Sequence, residues 1–505
     1  WIGRDDLSDG GRTSHFWADL IDYGTNAEKA YIFRVDAGPV LGLLYWEEDR
    51  VNPNAGTLAH KEVAYALDAL GTPYVWRMET QLDPGGPNQQ ISAVEQTLDV
   101  HGNATQVRKF DFAAQPPRTP TRTYDNTYVT DSRYTSQEKW NLLLTAKVTP
   151  AGGQTITLVS NTYDGPVTGF SGGPKCPAVY TGHTWVAPDA PEGNLTQTSA
   201  PGKITNFRYN MVGTAVESND NNGHETAACL DGTTFGAPAE ITPQNQANLK
   251  TSISYTTALK PQTITEPNNA VTSIVYDGLA RPSRSTSKYG AVTTYTYSNA
   301  PAWTLAVTND RWVKTWADSF GRTIKVEKGD HAGSSPVTKS VQETKYAACG
   351  CSALGKVWKV SRPYAPGDGA VWTTYEYDAR GRTTKVTLAD GSATRYAYAG
   401  NTVTVTDAAG KWKKQVTDAF GNLVQVVEPD PGDPGNRTWA TNYSYDVLDR
   451  LVQVTMPRGG ATQVRRWTYD AGTQRLASKT EPETGTTSYT WNADGTLQKK
   501  TDGAG

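Results

Sequence analysis

The stretch Tyr375-Glu376-Tyr377-Asp378-Ala379-Arg380-Gly381-Arg382-Thr383-Thr384-Lys385-Val386 decides how the rest of the chain is read. Two tyrosines spaced by two place their rings on one face of a strand. The aspartate after them accepts bonds from backbone N–H groups two residues on, which nucleates a turn. Gly381, three residues later, supplies a positive-φ position at little steric cost. The alternating run Thr383–Leu388 then reads as a returning strand. The phrase is a hairpin: strand, aspartate bend, strand.

Working outward, the phrase recurs. Tyr276-Asp277-Gly278-Leu279-Ala280-Arg281 and Tyr445-Asp446-Val447-Leu448-Asp449-Arg450 repeat it. Tyr469-Asp470-Ala471-Gly472-Thr473-Gln474 is one residue longer before Arg475, and Trp491–Thr496 is a softer copy. Asp318–Arg322 and Asp418–Asn422 keep the bend and lose the leading tyrosine. Successive anchors from Asp277 to Asp418 lie 41, 60 and 40 residues apart, multiples of a unit of about 20 residues with a turn roughly every 10. Aromatic doublets precede the bends at Tyr295/Tyr297, Tyr396/Tyr398, Tyr443/Tyr445, Trp467/Tyr469 and Tyr489/Trp491. Stacked over neighbouring strands they build aromatic rows, each cross-strand pair contributing roughly 0.2–1 kcal/mol. After the bends the pattern alternates, Leu423 and Gln425 to one face, Val424 and Val426 to the other.

Towards the N-terminus the grammar loosens. Tyr209–Thr214, Gly193–Thr196, Tyr163–Pro166 and Leu98–Asn103 are partial copies. The chain therefore divides into a poorly defined β-rich segment (1–90), a degenerate repeat region (91–260) and a regular repeat region (261–505). Within the first, Leu58–Leu70 carries marks of a short helix. Val63, Tyr65 and Leu67 also alternate as a strand, and the surrounding β pattern favours strand.

Composition agrees. The 505 residues carry 48 Lys+Arg against 51 Asp+Glu, a net −3, which argues against a nucleic-acid-coating protein. No apolar run approaches the ~18 residues of a membrane-spanning helix. Tyr and Trp (26 and 15) far outnumber Phe (9), which suits a wall with one dry and one wet face. The 47 Gly and 29 Pro fit many turns. The fold class expected is all-β, with repeated antiparallel hairpins forming one large curved or spiralling sheet or hollow shell. The chain opens on Trp1 without a signal-like segment and is read as a trimmed piece of a longer protein.

The bend Tyr-Asp-x-x-Gly-Arg with its preceding Tyr-x and following Val/Thr alternation resembles the YD-repeat of the Rhs family. The resemblance is strong over about 260–505, loose over about 90–260 and not demonstrable over 1–90. It implies a β-sheet spiralling into a hollow shell, as in bacterial polymorphic toxins, insecticidal toxin complexes, wall-associated proteins and teneurins. In several of these the shell encloses a C-terminal toxic domain, with a core-closing motif linked to self-cleavage. Asp430-Pro431-Gly432-Asp433-Pro434-Gly435 lacks that motif's continuation and reads as a loop, so toxin and cleavage site are expected outside this piece. Tyr276, Asp277, Tyr377, Asp378, Gly381, Arg382, Tyr445, Asp446, Arg450, Tyr469 and Asp470 are the structural repeat residues.

Catalytic signals are thin. The six histidines, His15, His60, His101, His183, His224 and His331, show no metal-ligand spacing. Gly169-Phe170-Ser171-Gly172-Gly173 matches a nucleophile elbow, but Pro174 and Pro177 prevent the helix that motif requires. Ser218–Gly223 has one acid where a calcium loop needs several, and reads as a polar turn. Glu47-Glu48-Asp49 is read as a solvated strand end rather than a glycosidase carboxylate pair. Arg322, Arg382 and Arg450 form either an anion-binding ladder or, preferably, pairs with repeat carboxylates and contacts across rings. Cys176 and Cys229 pair if the compartment oxidises. Cys349-Gly350-Cys351 closes a tight ring or holds two free thiols, and a metal there would lack its remaining ligands. No cofactor, metal or catalytic residue is assigned. The expectation is a non-enzymatic shell segment of a secreted or cell-surface bacterial protein, enclosing a C-terminal toxin cargo. The alternative is an extracellular structural or adhesive element that self-associates into a fibre or binds a glycan or cell-surface target.

Overall fold

Each aspartate bend turns the chain back beside the strand it has just made, and the operation repeats along the whole length. The structure, a computed structural model, describes residues 2–4, 15–21, 27–34, 38–52, 55–167, 169–170, 176, 192–210, 213–220, 222–232, 236–243, 246–332, 335–349, 351–433, 435, 437–458 and 460–503. Among the described residues 38 strands form one sheet. Every strand pairs antiparallel with the next in sequence, from Ile2–Arg4 against His15–Ile21 to Gly485–Trp491 against Leu497–Thr501. The sheet is an unbroken meander. The ambiguous segment is a strand, Ala55–Leu67, and the longest helix among the described residues is the single turn Ser132–Thr135, capped by Asp131.

The returning strand carries a bulge that no alternation rule discloses. Tyr377 pairs with Thr383 but Glu376 with Lys385, leaving Thr384 as an extra residue. Ser283, Ile324, Val424, Val452, Ala477 and Gln498 are the equivalent extra residues after the other bends. At Val424 the bulge interrupts the strict alternation read through Leu423–Val426. A bulge bends its strand and increases the local twist. Repeated beside successive turns, it curves the ribbon.

Turns alternate between the two rims of such a ribbon. An even number of strands separates each of Asp277, Asp318, Asp378, Asp418, Asp446, Asp470 and Asn492 from the next, so all these bends lie on one rim. The curvature brings that rim onto the opposite rim of residues far earlier. Asp83 accepts from the Gly400 N–H at 2.6 Å, 317 residues away, and Asp111 from the Ala419 N–H at 2.8 Å, 308 residues away. Arg122 clasps Asp449, 327 residues away. Between the turns that hold Asp83 and Gly400 lie 23 strands. At about 4.8 Å per strand one coil measures roughly 110 Å around, or about 35 Å across. Packed sheets sit about 10 Å apart, so opposite walls of such a coil do not fill it.

Exposed area gives the same answer. A globular protein of 54.7 kDa exposes about 18,000 Å², and this one exposes 28240 Å². Buried apolar residues are few. Among the described residues five of them form a local cluster, Cys176, Val216, Ala227, Cys229 and Leu230, and the others, such as Ala30, Ile91, Phe110 and Val454, are scattered along the wall rather than gathered in a central core. The molecule is a wall with two wet faces, coiled on itself.

Candidate functional site: the aspartate-turn rim and its seam

The rim is built from one template. Asp378 Oδ1 accepts from the Arg380 and Arg382 N–H groups at 3.0 and 2.9 Å, and the Arg382 Nε donates to Oδ2 at 2.7 Å. The backbone closes beneath, Gly381 N–H to Asp378 carbonyl at 2.9 Å, with Gly381 at φ 75°. Asp277, Asp318 and Asp446 repeat these bonds with Arg281, Arg322 and Arg450. Asp470, in the longer copy, bonds instead to Gly472 and Thr473. The Arg281 N–H and guanidinium hold Asp277 below the usual carboxylate range, and the Arg322 guanidinium does the same for Asp318. Both carboxylate oxygens of Asp277 and Asp318 are engaged as acceptors within the bend.

Each arginine then lies on the tyrosine ring of a following hairpin. Arg281 covers Tyr297, Arg322 Tyr346, Arg382 Tyr398 and Arg450 Tyr469, all at 4.1–4.2 Å. Those guanidiniums are thereby engaged in ring contacts as well as in their own bends. The tyrosine hydroxyl reaches back across the sheet to a carbonyl beyond the preceding bend: Tyr276 to Pro261, Tyr297 to Pro282, Tyr377 to Val357, Tyr398 to Thr383, Tyr445 to Leu423 and Tyr469 to Leu451, at 2.8–3.0 Å. Burial pushes the Tyr377, Tyr398, Tyr445 and Tyr469 phenols up, which keeps them protonated donors. Aspartate bend, arginine lid and tyrosine latch thus tie each hairpin to its neighbours.

The latch extends into the region where the sequence is hard to read. Tyr65 donates to Leu44, Tyr128 to Ala104, Tyr163 to Leu143 and Tyr209 to Leu195. Asp220 also forms the bend, accepting from the Asn222 and His224 N–H groups, with His224 Nδ1 in the arginine's place at 2.9 Å. The signal for it was Asp-x-x-Gly-His, inside the polar turn Ser218–Gly223. Of the elbow-like string, Ser171, Gly172 and Gly173 lie outside the described residues, as do His183 and Gly350.

Glu47-Glu48-Asp49 is not a solvated strand end. The three lie within the strand Leu44–Asn52, paired with Lys29 and Arg50, and Glu48 is buried. The cross-strand cations remove the need for water, which a reading of one strand alone does not reveal. His60 stacks on Trp46 at 3.7 Å on the neighbouring strand. Burial lowers its pKa against the opposing pull of Glu48, Glu62 and Glu79. Among the described residues no group of three His, Cys, Asp or Glu side chains is placed to hold a metal ion.

All four cysteines are in disulfides, Cys176–Cys229 and Cys349–Cys351. The first spans 53 residues and by chain entropy is worth about 4 kcal/mol; the second spans 2 and is worth under about 2 kcal/mol.

At the seam between coils, the Arg122 guanidinium meets both oxygens of Asp449 at 3.1 and 2.6 Å, donates to the Val447 carbonyl and stacks on Phe420 at 3.9 Å. Asn422 donates to the same Asp449 carboxylate. Arg122 holds Asp449 below the usual carboxylate range. A side chain at Gly400 would strike the Asn88 carbonyl, so the close approach there needs glycine. Beside Arg122 lies a cavity of about 220 Å³, and a larger one of about 530 Å³ opens between Val51 and Leu58 on one coil and Ala347–Cys349, Trp358 and Tyr375 on the next.

This architecture defines a repeat-built β-shell, and the comparisons with known proteins agree. The RHS Repeat family profile matches residues 365–393, 377–411 and 418–462. Over those residues the chain carries RHS repeats. Among curated proteins none matches it. A crystal structure of TcdB2-TccC3 is similar over 94% of this chain and 32% of that one, at 13% identity and a TM-score of 0.64. The same complex without its hypervariable C-terminal region matches over 92% and 33%, at 12% identity and 0.56. At such identities the likeness is one of fold, and this chain spans about a third of those chains.

Proposed function

We propose that this chain is the wall of an exported container, which encloses a C-terminal toxin cargo and shields it from solvent and proteases. The observation that carries the reading is the coil closure. A single-layer ribbon returns on itself after 23 strands and is sealed rim to rim by Asp83, Asp111 and the Arg122–Asp449 clasp. A surface half as large again as a globule's has no use in a compact binding domain but suits an enclosure. The fold relative that carries a hypervariable C-terminal region supports a cargo at that end. The disulfides support export, since such bonds persist in oxidising surroundings. The divisions near residues 90 and 260 are proposed as changes in repeat regularity within one wall, since the strand Gln90–Leu98 pairs on both sides and Thr251–Tyr255 bridges its neighbours.

The test is limited proteolysis of the full gene product. Its C-terminal segment should resist protease in the intact shell and become cleavable when Arg122→Ala and Asp449→Ala open the seam. Cleavage at the same rate with the seam intact would sink the container reading.

A further inference from the structure

The two disulfides have unlike surroundings. Cys176 and Cys229 are each 4% exposed, inside the apolar cluster. Cys349 and Cys351 are half-buried at the end of the hairpin formed by Ser335–Cys349 and Ser352–Ser361, where Cys349 already pairs with Ser352 in the ladder. A bridge over two residues of a hairpin closed by hydrogen bonds adds little as a staple. Its two sulfurs are also placed differently. Cys349 lines the 530 Å³ cavity between coils, whose walls include Val51, Leu58 and Trp358. The Cys351 sulfur abuts the bend of the best repeat, whose Asp378 and Ala379 line the same cavity: a Cβ at Gly381 would lie 2.8 Å from it. The same point is 3.3 Å from Cε of Lys356, whose ammonium donates to the Gly381 carbonyl at 2.7 Å.

We infer that Cys349 and Cys351 form a thiol–disulfide exchange site, and that its substrate is a cysteine thiol of a polypeptide segment entering the apolar cavity between coils. The incoming thiolate attacks the Cys349 sulfur. A new bond forms between them, the Cys349–Cys351 bond breaks, and its electron pair leaves on the Cys351 sulfur beside the Lys356 cation, which favours the thiolate. Cys351 then attacks Cys349 and releases the substrate unchanged. Alternatively a second substrate thiol attacks its own mixed disulfide. In that case the substrate leaves oxidised, both shell cysteines are reduced by the same two electrons, and a small disulfide such as oxidised glutathione restores the ring. The inference does not depend on the cargo reading.

The test uses the whole chain in glutathione buffers, with alkylation and mass spectrometry at each cysteine. Cys349–Cys351 should open at least about tenfold faster than Cys176–Cys229. A peptide probe with one cysteine and an apolar flank should be trapped on Cys349 in Cys351→Ser, and far less on Cys351 in Cys349→Ser. Lys356→Met should slow the opening and raise the pH at which the released Cys351 thiol becomes alkylated. The double variant Cys349→Ala, Cys351→Ala should keep the wild-type melting temperature. Equal opening rates, trapping on Cys351, or a shell that melts without the ring would each overturn the assignment.

Discussion

Two arginine–carboxylate pairs of the same chemistry hold the two halves of the wall on opposite terms. In the regular half, Arg382 reaches back four residues to Asp378, and the bend is complete before any other strand arrives. In the degenerate half, Arg208 meets Glu217 across two strands at 3.0 Å, with the Glu217 side chain 2% exposed. The first pair is local chemistry, with side chains 23% and 13% exposed. The second is a buried pair that exists only once the sheet has formed. Regular repeats are therefore where local preference and tertiary structure coincide, and degenerate ones are where burial has taken over the specification.

The sharpest way to break that comparison is to delete the same residue type in each half. Arg208→Ala removes the cation from a Glu217 carboxylate that is 2% exposed and should cost about 3 kcal/mol in denaturant unfolding. Arg382→Ala leaves Asp378 in contact with water and removes a ring contact on Tyr398, at a cost of about 1 kcal/mol. Equal losses would show that the two halves are not built differently.

Acidification separates the N-terminal strands from the seam. His60 has its pKa lowered by burial, so the unfolded chain binds the extra proton more readily. Its stabilising contribution is complete above the unfolded value of 6.5 and is lost as pH falls through the lower folded value. The groups around it are Glu48, paired with Arg50, together with Glu62 and Glu79, and its ring lies on Trp46. Asp449, depressed by Arg122, loses its contribution only below its ordinary 3.8. Melting temperature should thus fall in two stages on acidification. His60→Phe, which keeps a ring on Trp46, should abolish the first stage and leave the second.

The sequence discloses the second half well because a bend of five residues carries its own instructions: an acceptor, a positive-φ position and a donor. It discloses the all-β class for the same reason. Three features escape it. The bulge at Thr384 and its equivalents has no residue signature, since Ser, Ile, Val, Thr, Ala and Gln all occupy it. The burial of Glu48 depends on Lys29 and Arg50, whose relation to it is a matter of register rather than of local pattern. The clasp of Arg122 on Asp449 joins residues 327 apart, and only accumulated curvature brings them together. Asp449 is part of a bend in the sequence pattern and in the structure, at φ 61°; its second role is visible only from the neighbouring coil.

Within the regular half, the bend and the latch can be weighed against each other. Asp378→Ala removes the acceptor of two backbone N–H groups and the guanidinium partner, and should cost about 1–2 kcal/mol, by analogy with the loss of a helix cap. Amide exchange should speed up at Arg380 and Arg382 and remain unchanged in the hairpins of the first coil. Asp378→Asn, which keeps one oxygen acceptor, should restore most of that protection.

The smallest effect should come from the latch. Tyr377→Phe keeps the ring, with Lys356 over it at 4.9 Å, and deletes only the hydroxyl that donates to the Val357 carbonyl. A single hydrogen bond exchanged for one with water is worth about 1 kcal/mol or less. That carbonyl sits in the strand Ser352–Ser361, which also pairs with Trp372–Tyr377 through the ladder, so the strands stay joined when the latch is lost. The latch is repeated at Tyr276, Tyr297, Tyr398, Tyr445 and Tyr469, and distant sites add nearly independently. Successive Tyr→Phe substitutions along the rim should therefore lower stability in equal small steps measured by denaturant midpoint. A single step that accounted for the whole loss would mean that one hairpin, rather than the repeat, holds the wall.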